Sequence, residues 1–236
     1  MTGWKARRFW SEAVVVEREG GFGVDLDGRP LRTPAKAPLV VPSRALAVAI
    51  AAEWQAQDGE VDPRTMPITR GANAVIDKVR PQVEEVVNLL AAYIETDLIC
   101  YRAEGPAALV LRQAELWDPL VAWAEALGAP LRVTSGIIPV AQPEDSVARL
   151  RQRVAGLDAF ELSGFHDLVT LPGSFVIGLA ALEKWASVGQ LWQTARVDED
   201  YQASVWGEDA EAAEAALLKK RAFEDAAAFV DLVRAP

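Results

Sequence analysis

The stretch that decides the fold runs from Thr96 to Trp123 and reads TDLICYRAEGPAALVLRQAELWDPLVAW. It holds the only cysteine of the chain, Cys100, inside a short apolar run. Gly105-Pro106 then breaks the chain, and a helical pattern begins. We predict that this helix is interrupted at Trp117-Asp118-Pro119, with Asp118 capping a new helix, because proline cannot donate the amide hydrogen bond of a helix interior. The stretch therefore indicates a buried joint between two helical patterns.

Upstream of this joint, residues 9–41 carry a β pattern. Apolar residues alternate with small or acidic ones from Phe22 to Leu26, which is the period-two signature of a half-buried strand. Asp27-Gly28 is a favoured two-residue hairpin turn, because glycine accepts a positive φ at no steric cost. Pro30 in the return strand cannot donate to a ladder, so we expect that strand at an edge of the sheet.

A helix follows these strands. Ser43 is a good N-cap, and Leu46, Ile50 and Trp54 recur at four-residue spacing on one face. An apolar face of this kind covers a sheet. We therefore predict a small, β-rich α+β domain at the N-terminus, over residues 1–62.

Beyond Pro63 the pattern is mainly helical. A short helix is expected between Met66 and Val79, and the next helix carries a continuous apolar stripe at positions 83, 86, 87, 90 and 94. A short strand over residues 132–137 is expected to pair with residues 98–101. The fold class that follows is α+β, with a larger, mainly α-helical domain over residues 63–236.

Five further helix starts are marked by Pro143, Asp158, Ser174, Ser187 and Asp209. The segment Phe175–Leu182 is apolar on every side, so we predict that it is the most buried helix.

The composition excludes several classes of protein. The 236 residues carry a net charge of −10 with a pI near 4.7, which argues against a nucleic-acid surface built from clustered lysine and arginine. One cysteine cannot form a disulfide within the chain, which fits a reducing compartment. No apolar run reaches the ~20 residues of a membrane span, so we expect no membrane insertion. These features favour a bacterial cytoplasmic protein, or a processed protein of the mitochondrial matrix.

Few residues could carry catalysis or bind a metal. His166 is the only histidine and no Gly-x-Ser-x-Gly is present, so we expect a structural histidine. Cys100 lies in an apolar run, where thiols are buried and inert. Gly20-Gly21-Phe22-Gly23 precedes a strand and lacks the Lys-Ser/Thr ending of a phosphate loop. Asp198-Glu199-Asp200 point in different directions on a helix, which makes a poor chelate. The sequence predicts no catalytic, cofactor-binding or metal-binding residue.

Several motifs occur in an order found in one protein family. Besides the Thr96–Trp123 stretch, they are Asp27-Gly28-Arg29-Pro30-Leu31-Arg32-Thr33-Pro34, Glu53-Trp54-Gln55-Ala56-Gln57, Met66-Pro67-Ile68-Thr69-Arg70, and Tyr201-Gln202 with Trp206-Gly207. In these motifs the chain resembles the ATP synthase F(1) complex assembly factor 2 family, the assembly chaperones that handle the alpha subunit of the catalytic head. Gly71 and Val75 depart from the family pattern, where a bulkier and a polar residue are expected.

The resemblance implies the function of a chaperone. It would bind the unassembled alpha subunit of the F(1) head and shield the surface that later meets the beta subunit, because an exposed interface of that size aggregates. No Walker motif is present, so this action would need neither nucleotide hydrolysis nor a cofactor. We expect a monomer. Two alternatives stay open, a small-molecule enzyme with an unrecognised site and a permanent structural subunit of the finished complex.

An acidic segment supplies the candidate residues for binding the client, which is the protein that the chaperone shields. Ser187 begins a helix with a predicted inward stripe of Val188, Leu191, Trp192, Ala195, Gln202, Val205 and Trp206, and Asp198 falls on that stripe. A buried carboxylate is costly. Asp198 therefore either pairs with an arginine such as Arg196 or Arg102, or faces a cleft kept for the client.

The resemblance places an essential carboxylate in this segment, with the choice between Asp198 and Glu199 left open. It implies a client-binding surface made of Asp198, Glu199, Asp200, Tyr201 and Trp206.

Overall fold

The computed structural model describes residues 7–136 and 138–236, so the last residue of the predicted strand 132–137 lies outside the described chain. The described strands are β1 (Ala13–Arg18), β2 (Gly21–Leu26), β3 (Arg29–Pro30), β4 (Val40–Val41), β5 (Tyr101–Arg102) and β6 (Thr134–Ser135). The described helices are α1 (Arg44–Gln55), α2 (Pro67–Ala74), α3 (Val83–Glu95), α4 (Ala107–Ala126), α5 (Glu144–Ala155), α6 (Ala159–Thr170), α7 (Phe175–Leu182), α8 (Val188–Ala195), α9 (Val197–Trp206) and α10 (Ala210–Arg234). A small antiparallel sheet followed by a larger helical region makes this an α+β fold, as predicted.

The described chain divides into two units. The first contains the residues up to Gln82, together with Ala159–Ser163 and Ala228–Pro236. The second contains Val83–Asp158 and Gly164–Ala227. The division between residues 1–62 and 63–236 stays a prediction for where independently folding domains meet.

The sheet of the first unit is built around β2. β1 pairs with β2 along its whole length, and β3 and β4 pair with the two ends of β2. Asp27 and Gly28 join β2 to β3 with φ angles of 47° and 77°, which is the left-handed backbone that a two-residue hairpin turn requires. Pro30 lies in β3, whose ladder pairing in the described chain is with β2, so its missing N–H fits the predicted edge position.

Helix α1 covers this sheet. Ser43 caps it as predicted, because its hydroxyl accepts a hydrogen bond from Leu46 N at 3.1 Å. Leu46 and Ile50 are fully buried in the core that includes the strands. Trp54 is only partly buried, and its ring meets the ring of Trp10 edge-on at 5.1 Å between centroids.

The same core contains residues from far along the chain. Phe160 and Phe229 stack at 6.5 Å between ring centroids, and both belong to the cluster around α1. A Cβ atom at Gly71 in α2 would lie 3.0 Å from Phe229 Cε2, and Val75 is fully buried. A bulkier residue at position 71 or a polar residue at position 75 would not fit here, which is a physical reason for these two departures from the family pattern.

In the second unit, the predicted interruption at Trp117-Asp118-Pro119 is wrong. Helix α4 runs through Pro119, and Asp118 pairs with Arg102 at 2.9 Å instead of capping a helix. Trp117 and Leu120 are both fully buried. Their packing offsets the missing backbone hydrogen bond of a proline inside a helix, which costs about 3 kcal/mol.

The predicted helix starts at Pro143, Asp158, Ser174, Ser187 and Asp209 each stand directly before a helix. All eight residues of α7 are buried, as expected for an element that is apolar on every side. Residues 98–100 form a 3-10 turn, and β6 pairs in parallel with β5 through Tyr101 and Arg102. Among the described helices, none combines the length and the apolar character that crossing a membrane requires.

Candidate client-binding site

The acidic segment lies at a bend between two helices, where the sequence pattern suggests one continuous helix. Ser187 begins α8 through a capping box with Gln190. The backbone leaves the helical conformation at Arg196, with φ −105° and ψ 16°, and α9 begins at Val197. Gly207, with a φ of 93°, ends α9.

The predicted inward-facing stripe does not continue past this bend. Of its members in α8, Leu191, Trp192 and Ala195 are buried as predicted, whereas Val188 is half-buried. In α9 the prediction is wrong, because Gln202 is exposed and Val205 and Trp206 are 55% and 79% exposed. Val197 is buried in their place, since the bend turns a different face of α9 inward.

Asp198 is held by a buried glutamine. Gln113 of α4 is 1% exposed, and its Nε2 donates a hydrogen bond to Asp198 Oδ1 at 2.6 Å. Gln113 Oε1 accepts from the backbone N–H of Ala103 at 2.8 Å. Asp198 itself is half-buried. One carboxylate oxygen is therefore fixed against α4, while the other takes no part in that bond.

The expected ion pair of Asp198 with Arg196 or Arg102 is absent from the described chain. Arg196 lies 3.3 Å from Asp200, and Arg102 lies 2.9 Å from Asp118. Both arginines thus neutralise other carboxylates. Asp198 has no cationic partner among residues 7–136 and 138–236.

Position at a helix N-terminus stabilises the acids of this segment. Asp198, Glu199 and Asp200 occupy the first turn of α9. The free backbone N–H groups and the helix dipole favour negative charge there, by about 0.3–1 kcal/mol per charge at an exposed site. This term explains how three consecutive acids are tolerated, and it acts whether or not a partner is bound.

A groove between α9 and α10 contains three of the five candidate residues. Its volume is about 710 Å³. Glu199, Asp200 and Trp206 line the α9 side, and alanines of α10 such as Ala212 and Ala216 line the other. The small side chains leave room for an apolar segment beside the exposed indole of Trp206. Asp198 and Tyr201 are not among the residues that line this groove.

Helix α4 forms the base on which the bend rests. Trp117 Nε1 donates to the carbonyl oxygen of Thr194 at 2.8 Å, just before the bend. The guanidinium of Arg102 lies over the Trp117 ring, at 5.3 Å from its centroid. Because Trp117 is fully buried, these contacts fix where α8 ends relative to α4.

Sequence reasoning missed Gln113. A signal was present, because Leu109, Gln113, Trp117 and Leu120 follow helical spacing on the buried face of α4, and Gln113 is the one polar member. A buried amide needs hydrogen-bond partners, so its position marked a polar contact. The partner lies 85 residues away in the chain, which the pattern could not show.

Cys100 and His166 are the two other side chains whose chemistry could suggest a reactive site. Cys100 is buried as a free thiol, and burial raises its pKa to about 12, so the reactive thiolate is suppressed. His166 Nδ1 lies 2.9 Å from Asp167 Oδ1 at the surface. No group of three or more His, Cys, Asp or Glu side chains that could hold a metal occurs in the described part of the chain.

Comparison with known proteins identifies the family. A family model described as ATP12 chaperone protein matches residues 7–125. The crystal structure of Atp12 from Paracoccus denitrificans is 49% identical, with a TM-score of 0.95, over 97% of this chain and 99% of that one. The chain belongs to the ATP12 chaperone family.

Two further solved structures and one mitochondrial relative also match most of this ATP12 family member. An aspartate-to-lysine mutant of P. denitrificans Atp12p has a TM-score of 0.95 at 49% identity, over 97% of this chain and 98% of that one. The Atu1473 protein of Agrobacterium tumefaciens is 36% identical with a TM-score of 0.93, over 98% of this chain and 87% of that one. Protein atp12, mitochondrial, of Schizosaccharomyces pombe is 27% identical over 85% of this chain and 74% of its own length.

Proposed function

We propose that this ATP12 family member is an assembly chaperone of ATP synthase that binds the unassembled alpha subunit of the F(1) catalytic head. It shields the surface that later meets the beta subunit, and it is not an enzyme. The protein works in the bacterial cytoplasm, or in the mitochondrial matrix for an organellar member. Membership of the chaperone family supports the general role, and the motifs shared with the assembly factors support the alpha subunit as client.

The surroundings of the Asp198 carboxylate provide the main support for the proposed client-binding surface. This half-buried carboxylate is anchored through one oxygen to Gln113 and has no cation beside it in the described chain. Removing a charge from water without an opposite charge costs free energy. A lysine or arginine of the client would supply that charge, so the site favours binding over the free state.

The neighbouring groove supplies apolar contact. Trp206 is 79% exposed, and tryptophan is the residue type most enriched at binding hot spots. Glu199 and Asp200 line the same groove, and the half-buried Tyr201 lies on the same helix. We assign the apolar part of client binding to this groove and the charged part to Asp198.

Release follows from competition with the true partner. The beta subunit covers the same surface of the client, so a chaperone of moderate affinity is displaced without an energy source. Gly20 lies in the turn between β1 and β2 and Gly21 begins β2, so this glycine-rich segment joins two strands and lacks the strand-to-helix setting of a phosphate loop.

Reversal of charge at Asp198 tests the proposal. Asp198→Lys places a cation where the client's cation would bind, so we expect the variant to lose protection of the purified F(1) alpha subunit in a light-scattering aggregation assay. Its circular dichroism should match that of the control Asp145→Lys and its thermal unfolding should stay cooperative, with a melting temperature lowered only by the lost hydrogen bond from Gln113. Like Asp198, Asp145 lies in the first turn of a helix, α5, but it is exposed, so the control carries the same change in net charge and the same lost dipole interaction.

Full protection by Asp198→Lys would contradict the assignment of this surface. Failure of the unmodified protein to protect the alpha subunit would contradict the proposed client. Copurification with assembled F(1) rather than with free alpha subunit would indicate a permanent structural subunit instead.

A further inference from the structure

The side chain of Gln113 connects two segments that are distant in sequence. It sits on the buried face of α4 and is 1% exposed. Its Oε1 accepts from Ala103 N at 2.8 Å, and its Nε2 donates to Asp198 Oδ1 at 2.6 Å. The backbone N–H of Ala103 can only donate and a carboxylate can only accept, so these two partners fix which way the amide points.

We propose that Gln113 is a positioning residue for the Asp198 carboxylate, an inference that rests on the proposed client-binding role of Asp198. The bond to Oδ1 restrains the rotation of the carboxylate and thereby fixes where Oδ2 points. A client cation then meets an acceptor that is already oriented, and less conformational freedom is lost on binding.

The surroundings of Gln113 make this restraint rigid. One turn along α4, Trp117 is fully buried and its Nε1 donates to Thr194 O at 2.8 Å. Arg102 donates to Ile99 O at 2.8 Å and pairs with Asp118 at 2.9 Å, which holds the segment that contains Ala103. These contacts restrain α4 against the end of α8 and hold the segment that contains Ala103, so the Gln113 side chain is anchored on restrained backbone.

The Gln113→Glu variant removes one of the two hydrogen bonds of this side chain and keeps the other. A glutamate keeps an oxygen that accepts from Ala103 N, but it loses the N–H that holds Asp198 and places a like charge beside it. We expect the affinity for the F(1) alpha subunit to fall by roughly 10- to 100-fold, as for a lost hydrogen bond to a charged group.

Gln142→Glu is the matched control. Gln142 is 5% exposed and belongs to the same unit; its Oε1 accepts from Arg132 N at 2.8 Å and its Nε2 donates to Arg132 O at 3.0 Å. This control also buries a glutamate and loses one N–H, but it does not contact Asp198. It should show a similar fall in melting temperature and unchanged affinity for the alpha subunit.

A double-mutant cycle with Asp198→Ala distinguishes positioning from a general effect on the fold. If Gln113 acts through Asp198, Gln113→Glu lowers the affinity of the unmodified protein but causes no further loss in the Asp198→Ala background. Equal losses in both backgrounds would overturn the inference. So would unchanged affinity of Gln113→Glu beside a clear loss for Asp198→Ala, a result that leaves the proposed function standing.

Two further outcomes complete the test. If Asp198→Ala binds the alpha subunit as the unmodified protein does, the proposed client-binding surface fails, and the positioning role fails with it. If Gln113→Glu does not fold, Gln113→Leu replaces it in the same cycle, because leucine fills similar space without adding a charge. The same pattern of losses then decides the question.

Discussion

Asp97 is a buried carboxylate outside the candidate client-binding site. It is fully buried at the start of the 3-10 turn that precedes β5, and it joins that turn to α7. Ser174 Oγ donates to Asp97 Oδ1 at 2.6 Å, and Val176 N donates to Oδ2 at 3.0 Å. Burial raises the pKa of Asp97 to about 6, against an ordinary value of 3.8, although these hydrogen bonds act in the opposite direction.

This raised pKa makes stability depend on pH with a definite sign. Between pH 3.8 and about 6 the folded protein binds the Asp97 proton more tightly than the unfolded chain does. The contribution of Asp97 to the free energy of unfolding therefore falls as the pH rises through this window, by on the order of 2–3 kcal/mol, and stays constant above it. Urea denaturation at several pH values, compared between the unmodified protein and Asp97→Asn, measures the effect.

The difference between the two proteins is needed because other carboxylates act in the opposite direction. The backbone N–H groups of Glu12 and Ser11 lower the pKa of Asp27, so its contribution to stability is lost as the pH falls. That contribution is common to both proteins and cancels. Unfolding free energies that run parallel from pH 4 to pH 7 would show that Asp97 does not titrate in this range.

At the scale of elements, the contact between α6 and α7 depends on one glycine. A Cβ atom at Gly178 would lie 2.7 Å from Val169 Cγ2 and 2.9 Å from the carbonyl oxygen of Leu168. The backbone oxygen cannot move aside without shifting α6. We therefore expect Gly178→Ala to lower the free energy of unfolding by ~1–3 kcal/mol through overpacking, measured by thermal or urea denaturation.

Gly189→Ala is the control for the change in backbone entropy. Gly189 lies in α8, and nothing stands within 4 Å of the Cβ that alanine would add. Alanine is the better helix former, so this variant should be more stable by up to about 1 kcal/mol. An equal gain at Gly178 would mean that α6 and α7 are not in close contact.

The elements differ in how far local sequence determines them. Helix starts were predictable, because capping residues act within one turn, as Ser43 and Ser187 do. The bend at Arg196 was not, since neither proline nor glycine stands there. At Pro119 the opposite occurs. The sequence predicts a break in the helix, but α4 continues because burial of the neighbouring residues outweighs the local cost of a proline.

At the scale of the whole molecule, the hydrophobic core of the first unit could not be predicted from residues that are close together in the sequence. It includes Phe160 and Phe229, which lie more than a hundred residues beyond α1 and show only that their own helices have an apolar side. The candidate site could likewise be predicted only in part from the sequence. The acids of α9 are visible in the sequence, whereas the contact of Asp198 with Gln113 depends on how α4 and α9 pack.

The proposed release by competition with the beta subunit would require no nucleotide hydrolysis. We therefore expect isothermal titration calorimetry of the isolated protein with ATP and magnesium to detect no binding, and ATP to leave protection of the alpha subunit unchanged. The P-loop signature is absent from the sequence, which is the basis of this expectation. Micromolar affinity for ATP would contradict it.

The exposure of Trp206 gives the protein an internal optical reporter. This indole is 79% exposed, more than any other tryptophan in the described chain. Indole emission shifts to shorter wavelengths when water is excluded, and an indole this exposed is accessible to collisional quenchers such as iodide and caesium. A ligand that covers the groove would shift the contribution of Trp206 to the total tryptophan emission to shorter wavelengths and reduce its quenching, so that binding can be followed without attaching a dye.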